Sequence, residues 1–508
     1  MMISQDKLFD ECLIYGISDG MMFSGISSDS RRTKSGELFI CHRGLHRDGR
    51  KYAHDALDKG AKAVLSETSI DGIPAEKLFL TDDTRYAESV LWNNFTSRAA
   101  DGMTVVAVTG TAGKTSVVYL LRDILSSVGH KVGVITTVKT MSGDREISLG
   151  ESGGSSVSDI AGAMTTPDPE YFFKAIREMA DDGCDTLIYE ASSQGILYRK
   201  NAALTNDIAV YTNLSPEHLD CHGTMEEYFA AKAELMKKSR RAVINVDDEW
   251  IGKLCELYPE KEIVRCSMDS GALADVYGVN YKSRGKDGSE YMYVSDNAVF
   301  RLETQLIGKF SAYNTLEAAT VSLILGADPL TVRNTLRDSR GADGRMTRVS
   351  SGSRSLDGKC DISVYIDYAH TPESMRSLLS SVRETCKRIT AVFGCGGDRD
   401  KTKRALMGTV ASMYADHIII TSDNPRNEDR MKIIDDILVG VNKEKKYTVI
   451  PDRREAVEYA ISVAESGETV ILCGKGHEKY EILSDGKHPF DEYEIASEAL
   501  KKRVLGRK

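Results

Sequence analysis

From residue 104 onward, short apolar runs alternate with longer stretches in which apolar residues recur at helical spacing. TVVAVTG (104–110) is β-branched and apolar, and KTSVVYLLRDILSSVG (114–129) then shows a 3.6-residue periodicity closed by Gly129. KVGVITTV, DTLIYEAS and DIAVYTNL repeat the strand pattern, and strands alternating with helices predict a parallel sheet covered by helices on its faces. The segment up to about residue 100 mixes shorter strands and helices with the turn-rich stretches SGISSDSRR and HRGLHRDGR. Residues 268–300 break the pattern and predict a small antiparallel insertion, with a hairpin turn at Arg284–Gly288. A further α/β unit starts near residue 345. In it SVYI runs into DYAHTP, ITAVF into GCGGDRDK, HIIIT into SDNPR, and TVILC into GKGHE. Ligands of parallel sheets bind outside the carboxyl ends of the strands, where all four polar loops fall.

At about 150 residues per domain, a chain of 508 residues suggests three domains, which the pattern divides at 1–100, 101–340 and 341–508. Apolar residues make up 41% and charged residues 28%, as in a soluble globular protein. The 66 basic and 76 acidic residues leave a net charge of −10, which argues against a nucleic-acid partner. Asp6, Lys7, Asp10 and Glu11 interrupt any signal-peptide core, and no apolar run is long enough for membrane insertion. Ten scattered cysteines without a CxxC pair suit a reducing, cytoplasmic setting.

GTAGKT, Gly110 to Thr115, stands between a strand and a helix start, where backbone N–H groups and the helix dipole attract phosphate. Lys114 could reach a terminal phosphate and Thr115 a magnesium ion, although Val108 departs from the usual GxxxxGK[ST] spacing. Glu190 and His218 follow neighbouring strands, and an acidic strand end beside such a loop is placed to hold magnesium. Thr224 and Glu227 have capping-box spacing, and on the helix that follows Phe229, Lys232 and Met236 share one face. A lysine on an apolar face is driven toward its neutral amine, which can form a carbamate with carbon dioxide; an ordinary snorkelling lysine is the plainer alternative. In the last unit Asp367 ends a strand as a ribose acceptor would, Arg399 and Arg426 read as carboxylate binders, and Glu478 as an ammonium binder. A nucleotide cradle and a zwitterion pocket in one chain suggest ATP-driven acylation of an amine.

In order along the chain, DSRRTKSGELFICHRGLHRDG, GTAGKTS, TTP, EASSQG, NLSPEHLDCHGT, the AAK of Lys232, GKFSAYN, GRM, DYAHTP, GCGGDRDKTKR, DNPR and GKGHE resemble the Mur ligase family, in its UDP-MurNAc-tripeptide-forming branch. The resemblance implies an α/β fold of three domains. A central P-loop, parallel-sheet, ATPase-like domain would be flanked by an N-terminal UDP-binding α/β domain and a C-terminal Rossmann-like α/β domain. It implies an ATP-dependent, ADP-forming ligase that adds meso-diaminopimelate to UDP-MurNAc-L-Ala-D-Glu through an acyl phosphate, in peptidoglycan synthesis and hence cell-wall growth, shape and division. Ser30 and the Leu45, His46 and Arg47 loop would hold the UDP end. Thr165, Thr166, Ser192, Tyr198 and Lys200 would face the muramoyl peptide. ATP would lie on Gly110, Thr111, Ala112, Gly113, Lys114, Thr115 and Ser116, with Asn314, Arg345 and Asp367 closing on it. Thr115, Glu190, His218 and a carbamylated Lys232 would organise Mg2+, with His370 near the reacting centre. Arg399, Asp423, Asn424, Pro425, Arg426, Gly474 and Glu478 would take the amino acid, and DNPR goes with diaminopimelate. The expected assembly is a monomer.

Several positions depart from the family pattern: Ala112, Met164, the Tyr198-Arg199-Lys200 triplet, Cys221, Thr347 and Ala405. None removes the phosphate lysine or an expected metal ligand. The alternatives are the same ligation with L-lysine, a non-catalytic paralogue that binds UDP-muramoyl peptides, and a generic P-loop ATPase or kinase.

Overall fold

A computed structural model describes residues 2–16, 20–43, 48–148, 165–217 and 219–506. Three larger sheets organise these residues. The first is a four-stranded parallel sheet of Ile26–Ser27, Leu38–Ile40, Ala63–Ser66 and Leu78–Leu80, in that spatial order.

The second has eleven strands, seven of them parallel: Val132–Ile135, Thr186–Glu190, Thr104–Thr109, Asn206–Tyr211, Ser239–Asn245, Glu262–Ser267 and Val276–Ser283. Both faces of its central strands are buried, as a parallel arrangement requires. Val106, Val108, Ile188 and Val210 point into one core with Val117, Leu121 and Leu316 from the helices Lys114–Ser127 and Lys309–Ile324. Val105, Ala107, Leu187, Tyr189 and Tyr211 point into the other, with Phe172, Ile176 and Met236 from Pro169–Asp181 and Met225–Lys237.

The antiparallel insertion expected at 268–300 forms as the edge of this sheet. Val276–Ser283 pairs in parallel with Glu262–Ser267, and Ser289–Ser295 and Val299–Thr304 continue the same sheet antiparallel. The pattern changes there because only one face is buried: Val276, Tyr291, Tyr293 and Leu302 alternate into the core with Leu316 and Val332. The hairpin turn falls where expected, as a short 3-10 turn at Gly285–Asp287.

The third sheet orders Thr347–Arg348, Ser363–Asp367, Thr469–Cys473, Ile389–Phe393, His417–Ile420 and Lys446–Val449, all parallel except the first. The helices Pro372–Thr385, Thr402–Tyr414 and Arg430–Leu438 cover one face, and Arg453–Val463 and Glu492–Gly506 the other. The four loops singled out in the sequence therefore emerge from one rim. Among the described residues, no helix is long and apolar enough to cross a membrane.

Candidate active site

The strand Thr104–Thr109 ends in a turn that only glycine accommodates. Gly110 has φ +146°, and a Cβ there would lie 2.0 Å from Thr212 Oγ1. Gly113 has φ +87°, and its Cβ would lie 2.5 Å from Asn314 Oδ1. The loop is strapped to the neighbouring strand end, because Thr111 N donates to Asn213 O (2.8 Å) and Ala112 N to Asn213 Oδ1 (2.9 Å). The helix begins at Lys114, with Ser116 also in its first turn, so its first N–H groups face the loop. Lys114 Nζ curls over the turn, donating to the carbonyls of Gly110 (2.9 Å) and Thr111 (2.8 Å). Thr115 Oγ1 donates to Glu190 Oε1 at 2.7 Å, and the buried Glu190 carboxylate also accepts from Thr137 N (3.2 Å) and Oγ1 (3.0 Å).

The capping box of Thr224 and Glu227 forms as the spacing predicts, and it starts the helix that carries Lys232 inward beside Phe229 and Met236. Lys232 is 2% exposed, and its Nζ donates to Gly110 O at 2.8 Å and lies 4.9 Å from the Tyr228 ring. Two lysines thus share one carbonyl. Burial first, and then the Lys114 charge, hold the Lys232 pKa well below the usual lysine range. Burial also lowers that of Lys114.

Next to Glu190, Thr137 Oγ1 lies 3.1 Å from Thr165 Oγ1, and Thr166 Oγ1 donates to Glu190 O (3.0 Å) and lies 3.0 Å from Ser192 Oγ. Buried Lys200 donates to Thr166 O (3.3 Å) and pairs with Asp168 (2.8 Å), so Thr165, Thr166, Ser192 and Lys200 form one cluster. The Arg85 guanidinium lies 4.5 Å from the centre of the Tyr198 ring. Buried Ser30 belongs to the N-terminal sheet unit, where its carbonyl accepts from Lys59 Nζ at 2.7 Å. Leu45, His46, Arg47 and His218 lie outside the described residues.

At the rim of the third sheet lies a cavity of 450 Å³ whose lining includes Arg399, Asp423, Asn424, Arg426, Gly474 and Glu478, six of the seven expected amino-acid contacts. His370 and Tyr368 also line it; Pro425 does not. The cavity is dipolar. Among the described residues neither Arg399 nor Arg426 pairs with a carboxylate: Arg426 Nη1 donates to the carbonyls of Gly397 (3.0 Å) and Asn424 (3.3 Å), and Arg399 Nη1 to Asp398 O (3.4 Å). Burial, and then the Arg399 charge, push the Arg426 pKa down.

Asp423 and Glu478 lie on the acidic side around the buried Lys475, whose Nζ donates to Asn424 Oδ1 (2.6 Å) and Tyr480 O (2.8 Å). Burial and then Asp423 raise the Glu478 pKa, whereas Lys475 and Arg453 outweigh burial and lower that of Asp423. Sequence reasoning missed Lys475, although it stands inside GKGHE. It also missed Asn213, which opens the NLSPEHLDCHGT motif, and Thr137, which no motif marked.

Arg345 joins the two regions. Its Nη2 donates to Thr115 Oγ1 at 3.4 Å, and its guanidinium lies 5.0 Å from the centre of the Tyr368 ring, which contacts His370 and His477. Asp367 oxygens accept from Met346 N (2.9 Å) and Ala369 N (2.8 Å), which uses part of their capacity and leaves lone pairs for another donor. His370 Nδ1 faces Tyr368 O at 2.8 Å, which leaves Nε2 as the ring's acceptor; burial lowers its pKa, so the ring is neutral near pH 7.

A glycine-bounded loop at a helix start and a cavity at another sheet's rim are thus linked by one arginine. Three family models match the chain. They are described as the Mur ligase family, catalytic domain (residues 22–77), the Mur ligase middle domain (108–322) and the Mur ligase, glutamate ligase domain (344–476). The chain belongs to the Mur ligase family. It is 37% identical over 500 residues to the UDP-N-acetylmuramoyl-L-alanyl-D-glutamate–2,6-diaminopimelate ligase of Syntrophomonas wolfei, covering 95% of each chain. It is 36% identical to the enzyme of that name from Clostridioides difficile, covering 94% of this chain and 95% of that one. A solved diaminopimelate ligase of the same name aligns over 99% of both chains, with TM-score 0.69 and 29% identity. The fold also matches MurF from Thermotoga maritima in complex with ADP, with TM-score 0.57 and 16% identity over 95% of this chain and 98% of that one.

Proposed function

We propose that this protein joins meso-diaminopimelate to UDP-MurNAc-L-Ala-D-Glu with ATP as the driving substrate, in peptidoglycan precursor synthesis. The observation that carries the reading is the cavity with two guanidiniums free of carboxylate partners on one side and Glu478 and Asp423 on the other. A zwitterion with a second carboxylate complements that arrangement, because guanidinium forks bind carboxylates and a guanidinium that lysine would leave without a partner disfavours lysine. In this reading the D-Glu side-chain carboxylate attacks the γ-phosphate of ATP, giving an acyl phosphate and ADP. The incoming amine then attacks the acyl carbon, phosphate leaves, and His370, which lines the cavity, would take the amine proton on Nε2.

The residues present fit the expected groups. Gly110, Gly113 and the helix start form a cradle that a Cβ would fill, and Lys114 supplies a cation for anions that must approach one another. Thr115 and Glu190 offer oxygen donors of the kind magnesium prefers, although no ready cluster of three or more His, Cys, Asp or Glu stands among the described residues. When bound there, the metal would neutralise phosphate charge, and a Lys232 carbamate would add one further anionic ligand. Thr166, Ser192 and Lys200 would hold the muramoyl peptide. The expected assembly stays a monomer, and ten free cysteines suit the cytoplasm.

Phosphate release in the presence of ATP, magnesium and UDP-MurNAc-L-Ala-D-Glu tests the proposal. Release that requires added meso-diaminopimelate supports it. Release without the peptide precursor would mark a generic ATPase, and silence under all conditions a non-catalytic paralogue.

A further inference from the structure

Arg404 is wholly buried, yet it is not part of the cavity wall. It lies in the first turn of the helix Thr402–Tyr414 and reaches three places at once. Its Nη1 and Nη2 donate to the two Glu428 oxygens (3.0 and 2.9 Å), Nη1 also to Asp436 Oδ2 (2.9 Å), and Nη2 to Gly396 O (3.2 Å). Glu428 in turn accepts from Asp398 N at 2.6 Å. Asp398 Oδ2 closes the circuit by accepting from Asn427 Nδ2 at 2.8 Å.

The positions of these groups along the chain give the circuit its meaning. Asp398 immediately precedes Arg399, and Glu428 follows Arg426 by two residues. One buried guanidinium and one carboxylate therefore bolt together the two loops that carry the two cavity arginines. Both loops need the bolt. Asp398 and Arg426 have φ +53° and +52°, left-handed backbone that disfavours any residue with a Cβ and persists only where its surroundings enforce it. The loops also approach closely: Gly397 N donates to Asn424 O at 2.9 Å, and a Cβ on Gly397 would come within 1.9 Å of Pro425 O. A buried ion pair is often no more stabilising than an apolar replacement, so stability alone does not account for a charged network here.

Building on the diaminopimelate reading above, we propose that Arg404, through Glu428, is a positioning residue that sets the spacing and aim of Arg399 and Arg426 and so the preference for a dicarboxylate amino acid. It touches no substrate. Its effect is confined to the geometry of two guanidiniums, and small misplacements of binding groups are costly.

The test compares Arg404→Lys, Arg404→Met and Glu428→Gln with the parent enzyme in steady-state kinetics with each of the three substrates. Lysine keeps the charge but lacks the fork, and Gln keeps the shape of Glu428 but removes its charge. The expected result is a rise of at least about ten-fold in KM for meso-diaminopimelate in all three variants. With it go a kcat within a few-fold of the parent, unchanged KM for ATP and for UDP-MurNAc-L-Ala-D-Glu, and a lower diaminopimelate-to-lysine ratio of kcat/KM. An unchanged KM for the amino acid in Glu428→Gln, or equal rises in all three KM values, would overturn the proposal, the latter marking a merely structural bolt. If the parent enzyme itself shows no preference for diaminopimelate, the reading beneath it fails, and this proposal with it.

Discussion

Lys232 and Lys114 both direct their Nζ atoms at the carbonyl of Gly110, at 2.8 and 2.9 Å. Two ammonium groups on one buried acceptor repel each other, and the more enclosed Lys232 has its proton affinity lowered first by burial and then by Lys114. Its amine is therefore neutral over a wider range of pH than a surface lysine, which is the condition for carbamate formation. We expect 13C-bicarbonate to give a carbamate carbon signal that Lys232→Ala abolishes, together with a fall in turnover of about 10²-fold or more. Because the amine protonates as pH falls, the signal should fade toward acid pH. A signal or turnover that survives the substitution would remove Lys232 from the site.

Arg426→Ala makes a parallel case in the cavity. Loss of one charged hydrogen-bonding partner of about 1.5–3 kcal/mol should raise the KM for meso-diaminopimelate by roughly 10–100-fold and narrow its advantage over L-lysine, measured with both amino acids. At this scale much was legible in advance. Six of the seven amino-acid residues line one cavity because polar loops after parallel strands share a rim. Lys475 was not legible, because a buried cation whose partners come from Asn424 and Tyr480 has no signature of its own. The contact of Arg85 with Tyr198 was not legible for the same reason: only the fold brings residue 85 beside it.

At the scale of elements, the phosphate loop owes its shape to two glycines and to its neighbours. Gly113→Ala would place a Cβ 2.5 Å from Asn314 Oδ1 in left-handed backbone. The backbone cost alone is about 1–2 kcal/mol, so nucleotide affinity, measured by calorimetry, should fall about ten-fold while the amino-acid cavity is unaffected. Unchanged affinity would mean the loop does not hold the nucleotide in this form. The helix Met225–Lys237 was legible to its first residue, since Thr224 and Glu227 cap it reciprocally. The antiparallel strands at 276–304 were legible, but their continuity with the central sheet was not, because a one-faced edge strand and a hairpin have the same alternating pattern.

The Arg404 circuit belongs to this scale as well. The Arg404 fork lowers the Glu428 pKa from 4.5 to about 2. A carboxylate held down in the folded state contributes stability above about pH 4.5 and loses it as pH falls toward 2. The C-terminal unit should therefore loosen in that window, and Glu428→Gln should flatten the acid limb of its melting temperature. An acid limb identical to the parent's would deny the pairing.

Across the whole molecule, the glycine loop and the cavity belong to different sheets, and polar groups cross between the two units. Arg345 donates to Thr115 Oγ1, and the hairpin carbonyl of Lys286 accepts from Arg348 (3.4 Å) and Tyr365 (3.3 Å). Such contacts suit units that close on substrates and exclude water from a reactive acyl phosphate. The alternation of strands and helices made the two large sheets legible, but nothing local in the sequence could show which side chains cross between them. The central claim is that two facing guanidiniums choose the amino acid. Its most direct test is a competition: ATP, magnesium, UDP-MurNAc-L-Ala-D-Glu and equal concentrations of meso-diaminopimelate and L-lysine, with the nucleotide products weighed by mass spectrometry. The account predicts the diaminopimelate-containing tripeptide as the dominant product, and a predominance of the lysine-containing one would contradict it.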